Sequence, residues 1–414
     1  MNKCTFLLKR GKRINQECGK KCSNGFCKFH KNKEKPIVFP KKRDIDHVIS
    51  NFDTLETLRF KLKTLDTTPQ NRDIITKRLK YIELIPITST EYQKNINWLR
   101  HALNFPYNVI KTIPLNSNPD VKDTSDYISN VYKKLDDYIY GMKGIKEELI
   151  SFVCKRISNP FSNNHILSLQ GTNGVGKTRL AHGLAEALDL PIKTINLGCI
   201  SDVTYLTGHN FTYVDSEPGR IVQILNETRY KNCIIYFDEL DKIHQTTKGQ
   251  SINSFLTHLI DNTQNKKYQD VYLSGIELDL SNVFFVFSFN DINLIDKTVR
   301  DRLNVIKIPS HSVEDSIQIC KKFIIPEICK NLNHTFEIPE KLISDIVKKF
   351  YSNNEGLRSI KRVLDSVLSK LNVLRMLNKD LQQSLSFYDE NIEKCISNIL
   401  LSESVEQEQL SYYM

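Results

Sequence analysis

Residues 170–178 read Gln-Gly-Thr-Asn-Gly-Val-Gly-Lys-Thr and leave few folds open. The apolar run Ile166-Leu167-Ser168-Leu169 leads into them, and the helix-like Arg179-Leu180-Ala181-His182-Gly183-Leu184-Ala185 follows. Strand, Gly-x-x-x-x-Gly-Lys-Thr and helix in that order make a phosphate-binding loop. The glycines let backbone N–H groups turn inward around a phosphate, at a helix N-terminus whose dipole also favours negative charge. Gly171, Thr172, Asn173, Gly174, Val175 and Gly176 are therefore expected to wrap a nucleotide triphosphate. Lys177 is expected to reach the β and γ phosphates, and Thr178 to hold Mg²⁺ through its hydroxyl.

At 414 residues the chain has room for two or three domains. It shows no apolar run long enough for a membrane span and no secretory signal, so an intracellular, soluble protein is expected. The net charge of +10 is unevenly placed: residues 1–43 hold 14 Lys or Arg and two acids, a net of +12, which leaves residues 44–414 at −2. Four of the ten cysteines fall within the first 27 positions. Cys27-Lys28-Phe29-His30 is a C-x-x-H pair with zinc-ligand spacing, and Cys4, Cys18, Cys27 and His30 form the expected zinc set, with Cys22 spare. So short a segment cannot fold by apolar burial, and metal binding would supply its folding free energy. It resembles a Cys/His element found near the ends of proteins of large DNA viruses. With the abundance of Asn, Lys and Ile, that suggests a viral origin and a host cytoplasm or virus-factory location. The basic stretch to Arg43 could also contact nucleic-acid phosphates by charge alone.

Residues 44–110 are expected to be helical, broken at Pro69 and Pro86 and ending in a helix from Thr90 to Leu103. The Pro-, Asn-, Ser- and Asp-rich residues 111–126 read as a linker. An α/β nucleotidase with a parallel sheet between helices then follows over residues 127–310, a helical lid over 311–377, and a polar tail over 378–414 with one helix from Tyr388 to Leu401.

Cys233-Ile234-Ile235-Tyr236-Phe237-Asp238-Glu239 is a buried-strand run ending in two acids, a Walker B element. Asp238 is assigned to Mg²⁺ through water and Glu239 to activation of the attacking water. A second apolar strand, Val283 to Phe289, ends in Asn290, placed to help orient that water. Phosphoryl transfer gains from a cation that meets the developing charge, often from a neighbouring subunit. Arg302 is the candidate, with Arg300 second.

These residues and several longer stretches resemble the ATPase region of Lon proteases, which are AAA+ proteins. The stretches are Asp136-Asp137-Tyr138-Ile139-Tyr140-Gly141, Leu197-Gly198-Cys199, Leu206-Thr207-Gly208-His209, Phe211-Thr212-Tyr213-Val214, Pro218-Gly219-Arg220-Ile221, Phe323-Ile324-Ile325-Pro326-Glu327, and Asn354-Glu355-Gly356-Leu357-Arg358. Trp98-Leu99-Arg100 with Asn104-Phe105-Pro106-Tyr107 is similar to the segment before that ATPase. The resemblance implies an AAA+ fold and a hexameric ring. It sets Tyr140 and Gly141 beside the adenine, Asn290 as sensor 1, Arg302 as the trans-acting finger and Arg358 as sensor 2 of the lid. Tyr213 and Val214 match a pore loop that grips an unfolded polypeptide. Lys242-Ile243-His244-Gln245-Thr246-Thr247 and Asp261-Asn262-Thr263-Gln264-Asn265 depart from the family pattern.

A Lon peptidase unit needs well over 100 residues, and none fits in residues 378–414. The expectation is an ATP-hydrolysing ring motor that remodels or unfolds proteins without a peptidase of its own. The alternative is a nucleic-acid-associated ATPase recruited through the basic tail. A site that holds ATP without turnover is disfavoured by the full set of catalytic residue types.

Overall fold

The computed structural model describes residues 2–3, 21–22, 55–111, 121–158, 166–213, 215–243, 246–261, 263–336, 338–351 and 356–377. The chain divides into two units, Met1–Lys63 and Thr64–Met414. In the first, Asn2–Lys3 pairs antiparallel with Lys21–Cys22; helix α1 spans Leu55–Thr64. The expected zinc ligands Cys4, Cys18, Cys27 and His30, and the helix expected at Tyr388 to Leu401, lie outside the described residues. Among the described residues no cluster of His, Cys, Asp and Glu could hold a metal ion.

The second unit opens with α2 (Pro69–Ile82) and α3 (Thr90–Asn104). Both are started by hydroxyl caps, Thr68 Oγ1 accepting from the N–H of Asn71 and Ser89 Oγ from that of Glu91. Instead of hanging free, this segment is bonded into the nucleotidase. Asn71 donates to the carbonyl of Glu277 at 2.8 Å and accepts from its N–H at 3.0 Å, and the buried Trp98 indole donates to the carbonyl of Tyr272 at 3.0 Å. Val109 and Lys111 bond to Lys231 and Asn232.

The stretch read as a linker becomes helical at Val121. Helix α4 (Val121–Tyr138) is followed by α5 (Lys143–Ser158). Its polar first turns follow turn-like composition, whereas Val131, Leu135 and Ile139 at four-residue steps are buried in the core.

The sheet has five parallel strands: β1 (Ile166–Gln170), β2 (Ile192–Asn196), β3 (Ile234–Asp238), β4 (Phe284–Phe289) and β5 (Val305–Lys307). Their order is β2-β3-β4-β1-β5. All six β4 residues are buried, as the centre of a sheet covered on both faces requires. Each buried Phe contributes about 2–3 kcal/mol relative to exposure. Helix α6 (Lys177–Leu188) leaves β1 through the phosphate loop and packs with α4 and α5 in one core. Around the sheet lie α7 (Arg220–Thr228) and α8 (Thr247–Ile260).

The lid has its own core, built from α9 (Val313–Ile319), α10 (Ile325–Asn331), α11 (Glu340–Phe350) and α12 (Leu357–Leu377). A π-helical turn, Cys320–Ile324, joins α9 to α10 just before Pro326, which has no N–H to continue an α-helical ladder. No described helix is long and apolar enough to cross a membrane.

Candidate active site

The ends of β1, β3 and β4 and the first turn of α12 meet at one cleft of about 330 Å³. Its lining includes Asn173, Gly174, Gly176, Lys177, Thr178, Asp238, Glu239, Asn290 and Arg358. Residues up to 185 positions apart in sequence, from phosphate loop to lid, thus face one space. A larger groove of about 580 Å³ lies wholly on the lid and holds no carboxylate among its lining residues. Chemistry selects the smaller cleft.

Lys177 Nζ donates to the carbonyls of Gly171 and Thr172 at 2.7 and 3.0 Å and to Asn290 Oδ1 at 2.7 Å. The last bond ties the phosphate-loop lysine to the tip of β4, where sensor 1 was expected. Burial pulls the Lys177 pKa below its ordinary value, opposed by the nearby Asp238, Asp241 and Glu239 carboxylates, while Arg358 pulls the same way as burial. The cleft therefore holds a cation, carboxylates and a second cation within mutual electrostatic reach, as a triphosphate with its metal requires.

Thr178 and Asp238 supply a hydroxyl and a carboxylate, oxygen donors suited to a hard divalent cation. Thr178 Oγ1 lies 3.2 Å from the phenol oxygen of Tyr236, which in turn lies 3.2 Å from Asp238 Oδ1 and 2.9 Å from Ser288 Oγ and has one proton to give to either. Glu239 sits in the left-handed region at φ +61°, so the chain turns sharply straight after Asp238. Such a conformation costs a non-glycine residue roughly 1–2 kcal/mol, and sites that hold one are commonly functional. Asp241 Oδ2 accepts the N–H groups of Asn290 at 3.0 Å and Asp291 at 3.2 Å, which fixes the end of β4. Sequence reading missed Asp241, Tyr236 and Ser288. The signal was present as an acid two places after Glu239 and as single hydroxyls inside apolar strands.

Other expected residues stand apart from the lining. Tyr140 and Gly141 sit at the corner between α4 and α5, with Lys322 Nζ of the lid 5.1 Å from the Tyr140 ring centre. Beside them the Arg179 guanidinium bridges body and lid: it lies over Tyr138 at 5.3 Å and over Phe323 at 4.7 Å. Arg302 is exposed, donates to the carbonyl of Thr298 at 2.9 Å and lies 3.9 Å from Asp261. Arg300 is half-buried and likewise outside the lining.

Away from the cleft, Tyr213 projects from a hairpin closed by pairing of Gly208 with Pro218. Its side chain is 67 % exposed; Val214, His244, Gln245 and Asn262 lie outside the described residues. Asn210 Oδ1 shapes the turn by accepting from the N–H of Thr212. The hairpin base is fixed by the buried Asp270, whose Oδ2 accepts the Gly219 N–H at 2.8 Å and whose Oδ1 accepts those of Tyr272 and Leu273. Burial pushes the Asp270 carboxyl up to about 6 despite these bonds. A Cβ at Gly219 would lie 2.0 Å from the carbonyl oxygen of Leu206, so only glycine fits. Phe211 is gripped from below by the Arg78 guanidinium, 4.0 Å from its ring and 4.6 Å from that of Trp98.

Residues 167–309 match the family model for the ATPase family associated with various cellular activities (AAA). Together with the cleft, that match decides the class. The chain carries a Lon-like AAA+ ATPase domain. It is 36 % identical over 259 residues to a Lon protease homolog of Acanthamoeba polyphaga mimivirus, covering 62 % of this chain and 25 % of that protein. A Lon protease of Paraburkholderia phytofirmans is 29 % identical over 294 residues, with 70 % and 35 % covered. The mitochondrial Lon protease homolog of Homo sapiens is 27 % identical over 368 residues, with 88 % and 37 % covered. The chain thus spans between a quarter and two fifths of the length of these relatives.

Proposed function

We propose that this Lon-like ATPase works as a ring, a hexamer of identical subunits, that hydrolyses ATP to pull on and remodel or unfold a protein client. In each subunit Lys177 and the loop N–H groups bind the phosphates, and Arg358 reports their presence to the lid. Thr178 and Asp238 would hold Mg²⁺, which would supply charge neutralisation on the phosphates. Glu239 accepts the proton of the attacking water while Asn290 holds that water in line, and Arg302 completes the site of the adjacent subunit. Tyr213 and Val214 grip the client. No peptide-bond cleavage is assigned to these 414 residues. Zinc at Cys4, Cys18, Cys27 and His30 would give the N-terminal region a recruiting role.

The observation that carries the reading is Tyr213, a large aromatic left 67 % exposed on a hairpin whose base is rigidly fixed. An aromatic held out on a fixed support fits the gripping role that the resemblance implies for Tyr213. The test is ATP hydrolysis by the purified protein with an unfolded polypeptide, with DNA or RNA, and with neither. Stimulation by polypeptide, and binding of ATP without turnover by Glu239→Gln, is expected. Stimulation by nucleic acid alone, lost on deletion of residues 1–43 and indifferent to Tyr213→Ala, would favour the nucleic-acid reading instead.

A further inference from the structure

Tyr236 stands in the middle of an apolar strand, with Ile234, Ile235 and Phe237 around it, and is fully buried. A phenol buried there needs hydrogen-bond partners or it costs free energy. It has three: Thr178 Oγ1 at 3.2 Å, Asp238 Oδ1 at 3.2 Å and Ser288 Oγ at 2.9 Å. Ser288 Oγ itself donates to Asp238 Oδ1. Three hydroxyls and one carboxylate oxygen therefore form a single connected group linking the two residues assigned to the cation.

The proton order within that group follows from its chemistry. An ionised carboxylate only accepts, and each hydroxyl has one proton to give. Hydrogen bonds to an anion are the stronger ones, so the protons of Tyr236 and Ser288 run toward Asp238, directly or one through the other. The phenol oxygen is then the acceptor that faces Thr178, and the Thr178 proton points into the sheet. The lone pairs of Thr178 are left toward the cleft.

We propose that Tyr236 is a positioning residue that, through its hydroxyl, aligns Thr178 and Asp238 for a divalent cation, an inference that rests on the ATP-site reading. Without the phenol oxygen, the Thr178 proton is free to turn toward the cation and Asp238 loses a partner that holds its carboxylate. Groups that orient a metal ligand from behind commonly change metal affinity by about 10- to 100-fold when removed.

The experiment titrates Mg²⁺ into full-length protein with a fluorescent ATP analogue and reads nucleotide affinity at each metal concentration and in EDTA. Tyr236→Phe keeps the ring and its packing and removes only the hydroxyl. The Mg²⁺ midpoint is expected to rise by about tenfold, with affinity in EDTA and the thermal unfolding midpoint unchanged. Ser288→Ala removes a second member and is expected to shift the midpoint in the same direction; it decides the matter if Tyr236→Phe fails to fold. A wild-type Mg²⁺ midpoint in the folded variant overturns the proposal while leaving the ATP site intact. Nucleotide binding by the wild-type protein that ignores Mg²⁺ overturns the ATP-site reading itself.

Discussion

Gly356 holds the lid against the phosphate loop, and an added methyl group there should uncouple the two. The residue has φ +56°, and a Cβ built on it would lie 2.8 Å from the carbonyl oxygen of Asn173 and 3.0 Å from the carbonyl carbon of Gly174. Ordinary contact begins at 3.4 Å, so the first turn of α12 must retreat by about 0.6 Å. Alanine also pays about 1 kcal/mol for the left-handed backbone. The hydrogen bond from the Leu357 N–H to the Gly174 carbonyl is already 3.5 Å long and would be lost in that retreat. Arg358, next in the chain, moves with it. A hydrogen bond from a charged group contributes about 1.5–3 kcal/mol, which corresponds to a fall in hydrolysis of about 10- to 100-fold. Steady-state ATP hydrolysis by Gly356→Ala, Arg358→Ala and the double variant measures this. Both single variants should fall alike, and the double should fall little further. Wild-type turnover in Gly356→Ala, or a loss there that Arg358→Ala does not share, would show that Gly356 does not set the position of Arg358.

Arg78→Met removes two ring contacts worth about 1 kcal/mol each at a half-buried site and regains part of that because the Arg78 Nε is buried without a partner. The unfolding midpoint should drop by about 2–3 °C, and Arg78→Lys, lacking the flat guanidinium, should not restore it. Asp270 is raised from 3.8 to about 6 by burial, so its contribution to stability is fully present below pH about 4 and is lost as pH rises through about 6, an effect of about 3 kcal/mol. Denaturant melts from pH 4 to 7 should show this slope in the wild type and lack it in Asp270→Asn. Arg302→Ala should cut hydrolysis by about 10³-fold with nucleotide affinity retained. Mixing it with Glu239→Gln subunits should restore turnover at shared sites; no recovery would place Arg302 elsewhere.

Much of the cleft was legible because its chemistry is local. The phosphate loop, Asp238, Glu239 and the strand before Asn290 are each written in a few consecutive residues, and the structure brings Asn173, Gly174, Gly176, Lys177, Thr178, Asp238, Glu239, Phe289 and Asn290 to one lining, with Gly171, Thr172 and Val175 outside it. The helix Leu357–Leu377 falls within residues 311–377, where a helical lid was expected. What stayed hidden depends on register between distant strands. Tyr236 pairs with Val286, and Phe237 with Phe287, which sets Ser288 diagonally across from Tyr236. No local pattern reports that diagonal. The Arg78 clamp and the Asp270 support join helices, hairpin and loop across more than 50 positions, again without a local signature. The helix from Val121 was hidden for the opposite reason: its polar first turns look like a linker until the buried residues further along are known.

The claim that ATP hydrolysis is coupled to pulling on a polypeptide is tested most directly with a stable fluorescent protein carrying an unstructured tag. Loss of its fluorescence is followed with ATP for the wild type and for Tyr213→Ala. ATP-dependent loss of fluorescence is expected with the wild type. With Tyr213→Ala the loss should be at least tenfold slower, which corresponds to about 1.4 kcal/mol, at undiminished basal hydrolysis. Equal unfolding rates for the two proteins, or none for a wild type that hydrolyses ATP, would contradict it.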